Sequence, residues 1–349
     1  MFKKRTLFVV GAGASTEFHL PAGPALAKTI SQKLNLRIKD WNELDSTGDH
    51  DIFCQLQQHH RNEINDYLKS CWTIRDGVRF VSSIDDFLDV HSSDNRIKTV
   101  GKIAIVKSVL EAERGSLLFF DKSNIYNRLN VDRFENTWLI KLVRMLGRGV
   151  SKENAAEIFN NVAFIIFNYD RCIEHVLLHA LRQLYSLDEN GAAEILKTLT
   201  IIHPYGSTGS VKASTMGVAV SFGGEADKLS EDYYALSSQI KTYTEQVSDS
   251  NELKPLHDEV RRAERVVFLG FAFHDQNLAL IKPTYSINRK DIYATAFGMS
   301  ASDVQVVSAQ LLNFFEGHER EIMENGHMHI RADLKCADMF DQYAKSFPA

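Results

Sequence analysis

Long apolar runs are missing from this chain of 349 residues. Nowhere do about eighteen apolar residues follow one another, which excludes a membrane-spanning helix. Cysteine is sparse: Cys54, Cys71, Cys172 and Cys336 form no C-x-x-C pair, match no zinc spacing and do not read as a disulfide scaffold. Reduced thiols in a cytoplasmic protein are the expectation. An excess of positive charge is also absent. The net charge of −5 gives no electrostatic footprint for direct nucleic-acid binding. No internal repeat and no low-complexity tract occurs. The lead-in Met1-Phe-Lys-Lys-Arg5 looks like the start of a signal peptide, but only five residues separate it from the first glycine. That is too short for an apolar signal core, and it reads as a basic entry into a first strand. With 44% hydrophobic and 24% charged residues, the composition is that of a soluble globular protein.

What is present is strand–helix alternation. Thr6-Leu-Phe-Val-Val10 runs straight into Gly11-Ala-Gly-Ala-Ser15-Thr16, and an amphipathic helix is expected at about 24–34. Residues 37–155 are charged and rich in helix formers. Helices are expected at about 51–70, 83–90, 96–113 and 137–146, with Ser83-Ile-Asp-Asp86 as a capping box. After 155 the alternation returns. Strands are expected at 162–167, 199–202, 217–222, 266–269, 291–296 and 328–330. Helices are expected at 170–184, 229–247, from Pro255 to about 262, at 302–315 with Ser302 as cap, and at 335–345. The expected architecture is α/β: a Rossmann-like parallel sheet covered by helices on both faces. Residues 1–36 and 156–349 form the nucleotide-binding part, and 37–155 form a helical insertion.

Four segments carry candidate chemistry. In Gly11-Ala12-Gly13-Ala-Ser15-Thr16 the glycines allow close approach of backbone to phosphate, and the helix N-terminus behind them favours an anion. Thr16 occupies the third glycine position of G-x-G-x-x-G, and no acidic residue follows a second strand about twenty residues on, which disfavours a nicotinamide dehydrogenase. Ser15 and Thr16 either donate to a phosphate or cap the helix. Asn168-Tyr-Asp170 closes a strand. Asn168 suits a sugar hydroxyl or a bound water, and Asp170 suits a ribose or a helix cap. Glu174, one turn on, reads as a surface or cap partner. His203-Pro-Tyr-Gly206 follows another strand and places a histidine suited to general-base work. Gly270-Phe271-Ala-Phe-His274-Asp275-Gln-Asn277 follows a fourth, where His274, Asp275 and Asn277 either reach a ligand or fix the loop, with Asp275 equally suited to cap a helix. In a parallel sheet all four ends lie on one edge, and one cleft collects them.

In this order the motifs resemble the sirtuin superfamily, and more specifically the bacterial sirtuin-like proteins of anti-phage defence. Gly11-Ala-Gly13-Ala-Ser15, Asn168-Tyr-Asp170, His203 and Gly270 match the family's glycine turn, Asn-x-Asp, histidine and late glycine. Phe167-Asn-Tyr-Asp170, Phe268-Leu-Gly-Phe271, Leu20-Pro21-Ala-Gly23 and Ser83-Ile-Asp-Asp-Phe87 are similar to the defence branch. The paired C-x-x-C zinc module of the deacylases is absent. The resemblance therefore implies hydrolysis of NAD+ to nicotinamide and ADP-ribose, with Asn168, Asp170 and His203 catalytic and NAD+ as substrate rather than resident cofactor. It implies that Gly11, Ala12, Gly13, Ser15, Thr16, Pro21, Gly206, Gly270, Phe271, His274 and Asn277 line its site. No metal is expected. A homo-oligomer is implied, held in check by a partner such as a HerA-type translocase ATPase, since no sensor domain follows the core. The other readings are an NAD- or ADP-ribose-binding sensor and an NAD-dependent deacylase.

Overall fold

The computed structural model describes residues 1–40, 43–44, 47–124, 126–210, 220–224, 232–248, 250–282, 290–312 and 327–349. Six strands form one parallel sheet: β1 (Thr6–Val10), β2 (Val162–Ile166), β3 (Thr200–Ile202), β4 (Arg265–Leu269), β5 (Asp291–Thr295) and β6 (Met328–Arg331). Their spatial order is β3-β2-β1-β4-β5-β6. This is the Rossmann order, in which the chain builds outward on one side of β1 and then returns to build on the other. Register fixes the edge: Val10 is opposite both Ile166 and Leu269, Ile165 is opposite Ile202, and Phe268 is opposite Ala294. The carboxyl ends of these strands are therefore level. A separate two-stranded antiparallel hairpin pairs Ile38–Asp40 with Glu43–Leu44.

Alternation along β1 explains why it sits at the centre. Leu7 and Val9 enter one core, while Phe8 and Val10 enter the other, and all four are buried. A strand buried on both faces reads as an unbroken apolar run, as β1, β2 and β4 do. On the first face lie α2 (Gly23–Lys33), α3 (His50–His60), α4 (Ile64–Gly77), α5 (Ile84–Val90) and α6 (Asn95–Gly115), which share one core with Leu7 and Val9. On the second lie α7 (Trp138–Gly147), α8 (Cys172–Leu184) and α9 (Glu189–Leu196). Residues 37–155 thus supply helices to both faces. A very short α1 (Ala12–Ser15) forms the turn after β1. Later helices are α10 (Tyr233–Ser237), α11 (Tyr243–Ser248), α12 (Ser250–Arg262), α13 (Asp275–Ile281), α14 (Ala301–Leu312) and α15 (Cys336–Gln342). No helix among the described residues is long and apolar enough to cross a membrane.

Several expectations are corrected. The helix expected over 51–70 is interrupted at Arg61–Glu63 by a 3-10 turn and restarts as α4. Of the strand expected at 217–222, residues 217–219 lie outside the described residues. Val220–Phe222 join no sheet and lead into Gly223 and Gly224, both at positive φ. The stretch 229–247 lies partly outside as well, and its described part is two short helices, α10 and α11. Pro255 sits inside α12 rather than at its start. The missing N–H costs that helix a bond, which burial of Leu256 and Val260 offsets. The cap of α14 is Ser300, whose Oγ accepts from the Asp303 amide at 3.1 Å, so Ser302 is already helical. Ser83 caps α5, its Oγ accepting from the Asp86 amide at 3.1 Å, without the reciprocal bond that the expected capping box requires.

Candidate functional site

The order of the sheet reverses between β1 and β4, so the crevice at the switch point lies between the turns that follow Val10 and Leu269. These turns are packed against each other to the limit. A Cβ on Gly270 would sit 2.0 Å from the Ala14 amide nitrogen, and φ there is +55°. A Cβ on Gly11 or Gly13 would sit 2.6 or 2.8 Å from the Gly270 carbonyl oxygen, which accepts from the Gly13 amide at 3.0 Å. All three glycines are required by backbone-to-backbone approach within the protein. Gly206, at φ +75°, is similarly forced, with its Cβ position 1.8 Å from the Gln239 carbonyl oxygen.

The turn after β1 is tied to the turn after β2 through buried side chains. Asn168 Nδ2 donates to the Gly11 carbonyl at 3.1 Å and to Ser15 Oγ at 2.9 Å. Ser15 Oγ in turn donates to Asp170 Oδ2 at 2.8 Å, and Asp170 Oδ1 accepts from the Cys172 amide at the start of α8 at 3.2 Å. Asn168 is only 6% exposed, yet its Oδ1 has no hydrogen-bond partner among the described residues. An orphaned buried acceptor costs about 1–3 kcal/mol and marks a place where a donor from a ligand or water belongs. Thr16 spends its hydroxyl on the Gly13 carbonyl at 2.7 Å.

His203 joins from β3. Its Nδ1 lies 3.1 Å from the Asn168 carbonyl oxygen and its Nε2 lies 2.7 Å from Glu174 Oε1 on the first turn of α8. Both partners accept, so the arrangement suits an imidazolium carrying both protons. Burial pushes the His203 pKa down, but Glu174, the Asn168 carbonyl and the Asp170 charge together outweigh it and leave it raised above the ordinary histidine value. Asp85, on α5, accepts from the Tyr169 hydroxyl. Burial, followed by the like charges of Asp86 and Asp89, outweighs that bond and lifts the Asp85 carboxyl to about 6. Neither Glu174, taken from sequence as a surface or cap partner, nor Asp85 was among the expected site residues. Ser83-Ile-Asp-Asp86 carried a capping signal, and Glu174 stood one turn past Asp170 with nothing in the sequence to pair it with His203.

Two cavities flank the β1 turn. One, of about 80 Å³, is lined by Ala12, Pro21, Asp85, Asn168, Tyr169 and Asp170. The other, of about 570 Å³, is lined by residues including Gly13, Thr16, Glu17, Gly270, Phe271 and Lys335. The residues singled out from sequence are therefore divided: Ala12, Pro21, Asn168 and Asp170 on one side, Gly13, Thr16, Gly270 and Phe271 on the other. Ser15 and His203 join the first group through hydrogen bonds. His274 is exposed and caps α13 without a side-chain bond. Asn277 accepts from the Tyr205 hydroxyl at 2.6 Å and ties α13 to the turn after β3. The described residues hold no cluster of three or more His, Cys, Asp or Glu that could bind a metal. No protein-family model, no curated protein and no solved structure matches this chain.

Proposed function

We propose that this chain is a sirtuin-like NAD+ hydrolase that releases nicotinamide and leaves ADP-ribose. The observation that carries the reading is the continuous hydrogen-bonded set Ser15–Asn168–Asp170, with His203 on the Asn168 carbonyl, placed at the switch point of a Rossmann-order sheet. Dinucleotides bind at such crevices. The cavity of about 570 Å³ is of small-ligand size and would take the adenosine and phosphate portion. The smaller cavity, with the orphaned Asn168 Oδ1, would take the reacting ribose and water.

Cleavage of the nicotinamide–ribose bond passes through an oxocarbenium-like state, which needs an oriented sugar, a placed water and a base. Asn168 Oδ1 orients a ribose hydroxyl or the water. Asp170, with both oxygens engaged, fixes Ser15 and the entry to α8 and holds negative charge beside the cavity. Above its raised pKa His203 has given its Nε2 proton to solvent, and the neutral ring then takes one proton from the hydroxyl or the water. Base assistance of this kind contributes about 10²–10⁴-fold. The proposal extends to a homo-oligomer working with a HerA-type translocase ATPase in anti-phage defence, which rests on the sequence resemblance.

The test is nicotinamide release from NAD+ by the purified chain beside His203→Ala and Asn168→Ala. Loss of about 10²-fold or more in both folded variants is expected. Wild-type rates in either variant would sink the assignment. A second reading, an ADP-ribose-binding sensor, is favoured by one observation: both ring nitrogens of His203 are already engaged. A folded wild type that binds ADP-ribose and releases no nicotinamide, with or without its partner, would establish it.

A further inference from the structure

On the second face of the sheet, away from the switch point, a cavity of about 670 Å³ opens between the loop that follows α6 and the C-terminal end of α8. Its polar lining is Asn127, Arg128, His179, Arg182, Gln183 and Ser186. The side chains of Arg128 and Arg182 make no hydrogen bond or ion pair among the described residues. His179 is 6% exposed, and its Nε2 has no partner among the described residues. Burial, then the charges of Lys122 and Arg182, holds His179 at about 4, so at neutral pH it offers one N–H and one lone pair. The acidic groups nearest in sequence are turned to their own turns. Asp121 accepts from the Ser123 amide at 2.9 Å and hydroxyl at 2.8 Å, and Asp188 accepts from the Gly191 amide at 2.7 Å. Carbonyls at the end of α8, which would repel an anion, are occupied: Leu181 O and Arg182 O each accept from a following amide at 3.1 Å.

Two guanidinium groups unpaired among the described residues, the Gln183 carboxamide and the Ser186 hydroxyl around one cavity make a phosphate-recognising set, while Asn127 Nδ2 already donates to the Asp121 carbonyl at 2.9 Å. Phe120, Leu129 and Leu187 add an apolar wall against which a flat ring packs, and Phe120 is held edge-on to His179 at 5.1 Å. From the unpaired Arg128 and Arg182 on one cavity with this wall, we infer a second binding site, separate from the switch-point cleft, for a nucleoside phosphate. Helix α8 carries both ends of the arrangement, since Glu174 meets His203 on its first turn and Arg182 lies eight residues further on.

The experiment titrates the full chain with ADP, beside inorganic phosphate and adenosine, and reads binding heat and amide hydrogen exchange. ADP is expected to slow exchange across 118–130 and 180–188. Arg128→Ala and Arg182→Ala are each expected to weaken that binding about 10-fold or more, the share of one hydrogen bond to a charged group. Arg128 is exposed and neither side chain is bonded among the described residues, so both variants should fold, checked by circular dichroism. The inference is overturned if the double variant binds ADP as wild type does, or if protection appears only around Gly11–Ser15 and Asn168–Asp170. Equal affinity for ADP and inorganic phosphate, or for ADP and adenosine, also overturns it. Absence of NAD+ hydrolysis leaves every one of these readings intact.

Discussion

Replacing Glu174 by Gln tests whether a carboxylate on α8 sets the proton affinity of the proposed base. The two side chains are 13% and 20% exposed, and Nε2 to Oε1 is 2.7 Å. An exposed ion pair contributes about 0–1 kcal/mol, but this one is largely shielded from water and is held from its other side by the Asn168 carbonyl. Its value lies nearer that of a hydrogen bond to a charged group, about 1.5–3 kcal/mol. Gln preserves size and the accepting oxygen while removing the charge. The proton affinity of His203 should therefore fall about 10- to 100-fold in Glu174→Gln, and burial, no longer outweighed, would carry it below the ordinary histidine range.

The sign follows from the direction of the shift. His203 is raised in the folded chain, so wild type holds its proton past the pH at which a free histidine loses it. Base-dependent nicotinamide release should rise with pH through that raised value, and in Glu174→Gln the rise should move toward acid. The same group links to stability. Its contribution is fully present below the unfolded value and is lost as pH rises through the folded one, so wild type should lose stability on the alkaline side and Glu174→Gln should not. Ring-nitrogen NMR titration, the pH profile of nicotinamide release and thermal unfolding across pH 5–9 read the three consequences. A His203 titration that is unchanged or moves toward alkali in the variant would refute the reasoning, whatever the activity does.

Gly270→Ala places a Cβ 2.0 Å from the Ala14 amide nitrogen at a φ of +55°, and should cost more than about 3 kcal/mol in denaturant unfolding or prevent accumulation of folded chain. Asp85→Asn should stabilise the protein by about 1–3 kcal/mol at pH 7 and have little effect at pH 4. Folding raises the Asp85 carboxyl to about 6, so its stability contribution is present below the unfolded value and lost as pH rises through about 6. Equal gain at both pH values in calorimetry would show that packing, not ionisation, is responsible.

Sequence was most informative where a single element decides the outcome. The runs Leu7–Val10, Val162–Ile166 and Val266–Leu269 are apolar because both faces are buried, and their ends coincide with the turns that polar and glycine residues announce. That four strand ends share one edge followed from parallel pairing, and the register places them level. Legibility failed where two distant elements must be superposed. Nothing local distinguishes Glu174, paired with His203, from any other first-turn carboxylate. Ser300 and Ser302 offer the same cap chemistry two residues apart, and only the backbone path selects the first. Pro255 reads as a helix start because position one tolerates a missing N–H, yet tertiary burial carries it in the interior.

The glycines of the β1 turn call for a different interpretation from the one their motif invites. A glycine-rich turn is read as room for phosphate, but here the Cβ positions of Gly11, Gly13 and Gly270 are taken by the opposing turn, even though Gly13 and Gly270 also line the large cavity. Their absent side chains serve strand-to-strand approach, which fixes where β1 and β4 end. That closeness has a consequence for the site. Ala12 and Gly13 are consecutive residues, yet one lines the small cavity and the other the large one, so the peptide between them forms the wall that divides the two. A dinucleotide occupying both cavities must cross at this peptide, with its pyrophosphate over the turn. On the proposed reading the glycines act on ligand indirectly, by holding the wall still, and discrimination at the reacting end falls to Asn168, Asp170 and His203. Asn168 and Asp170 are joined to the same turn by the Asn168 bond to Gly11 and the Ser15 bond to Asp170, and His203 through the Asn168 carbonyl. A rigid turn and a bonded side-chain set are thus one construction, and disturbing either should be felt at the other.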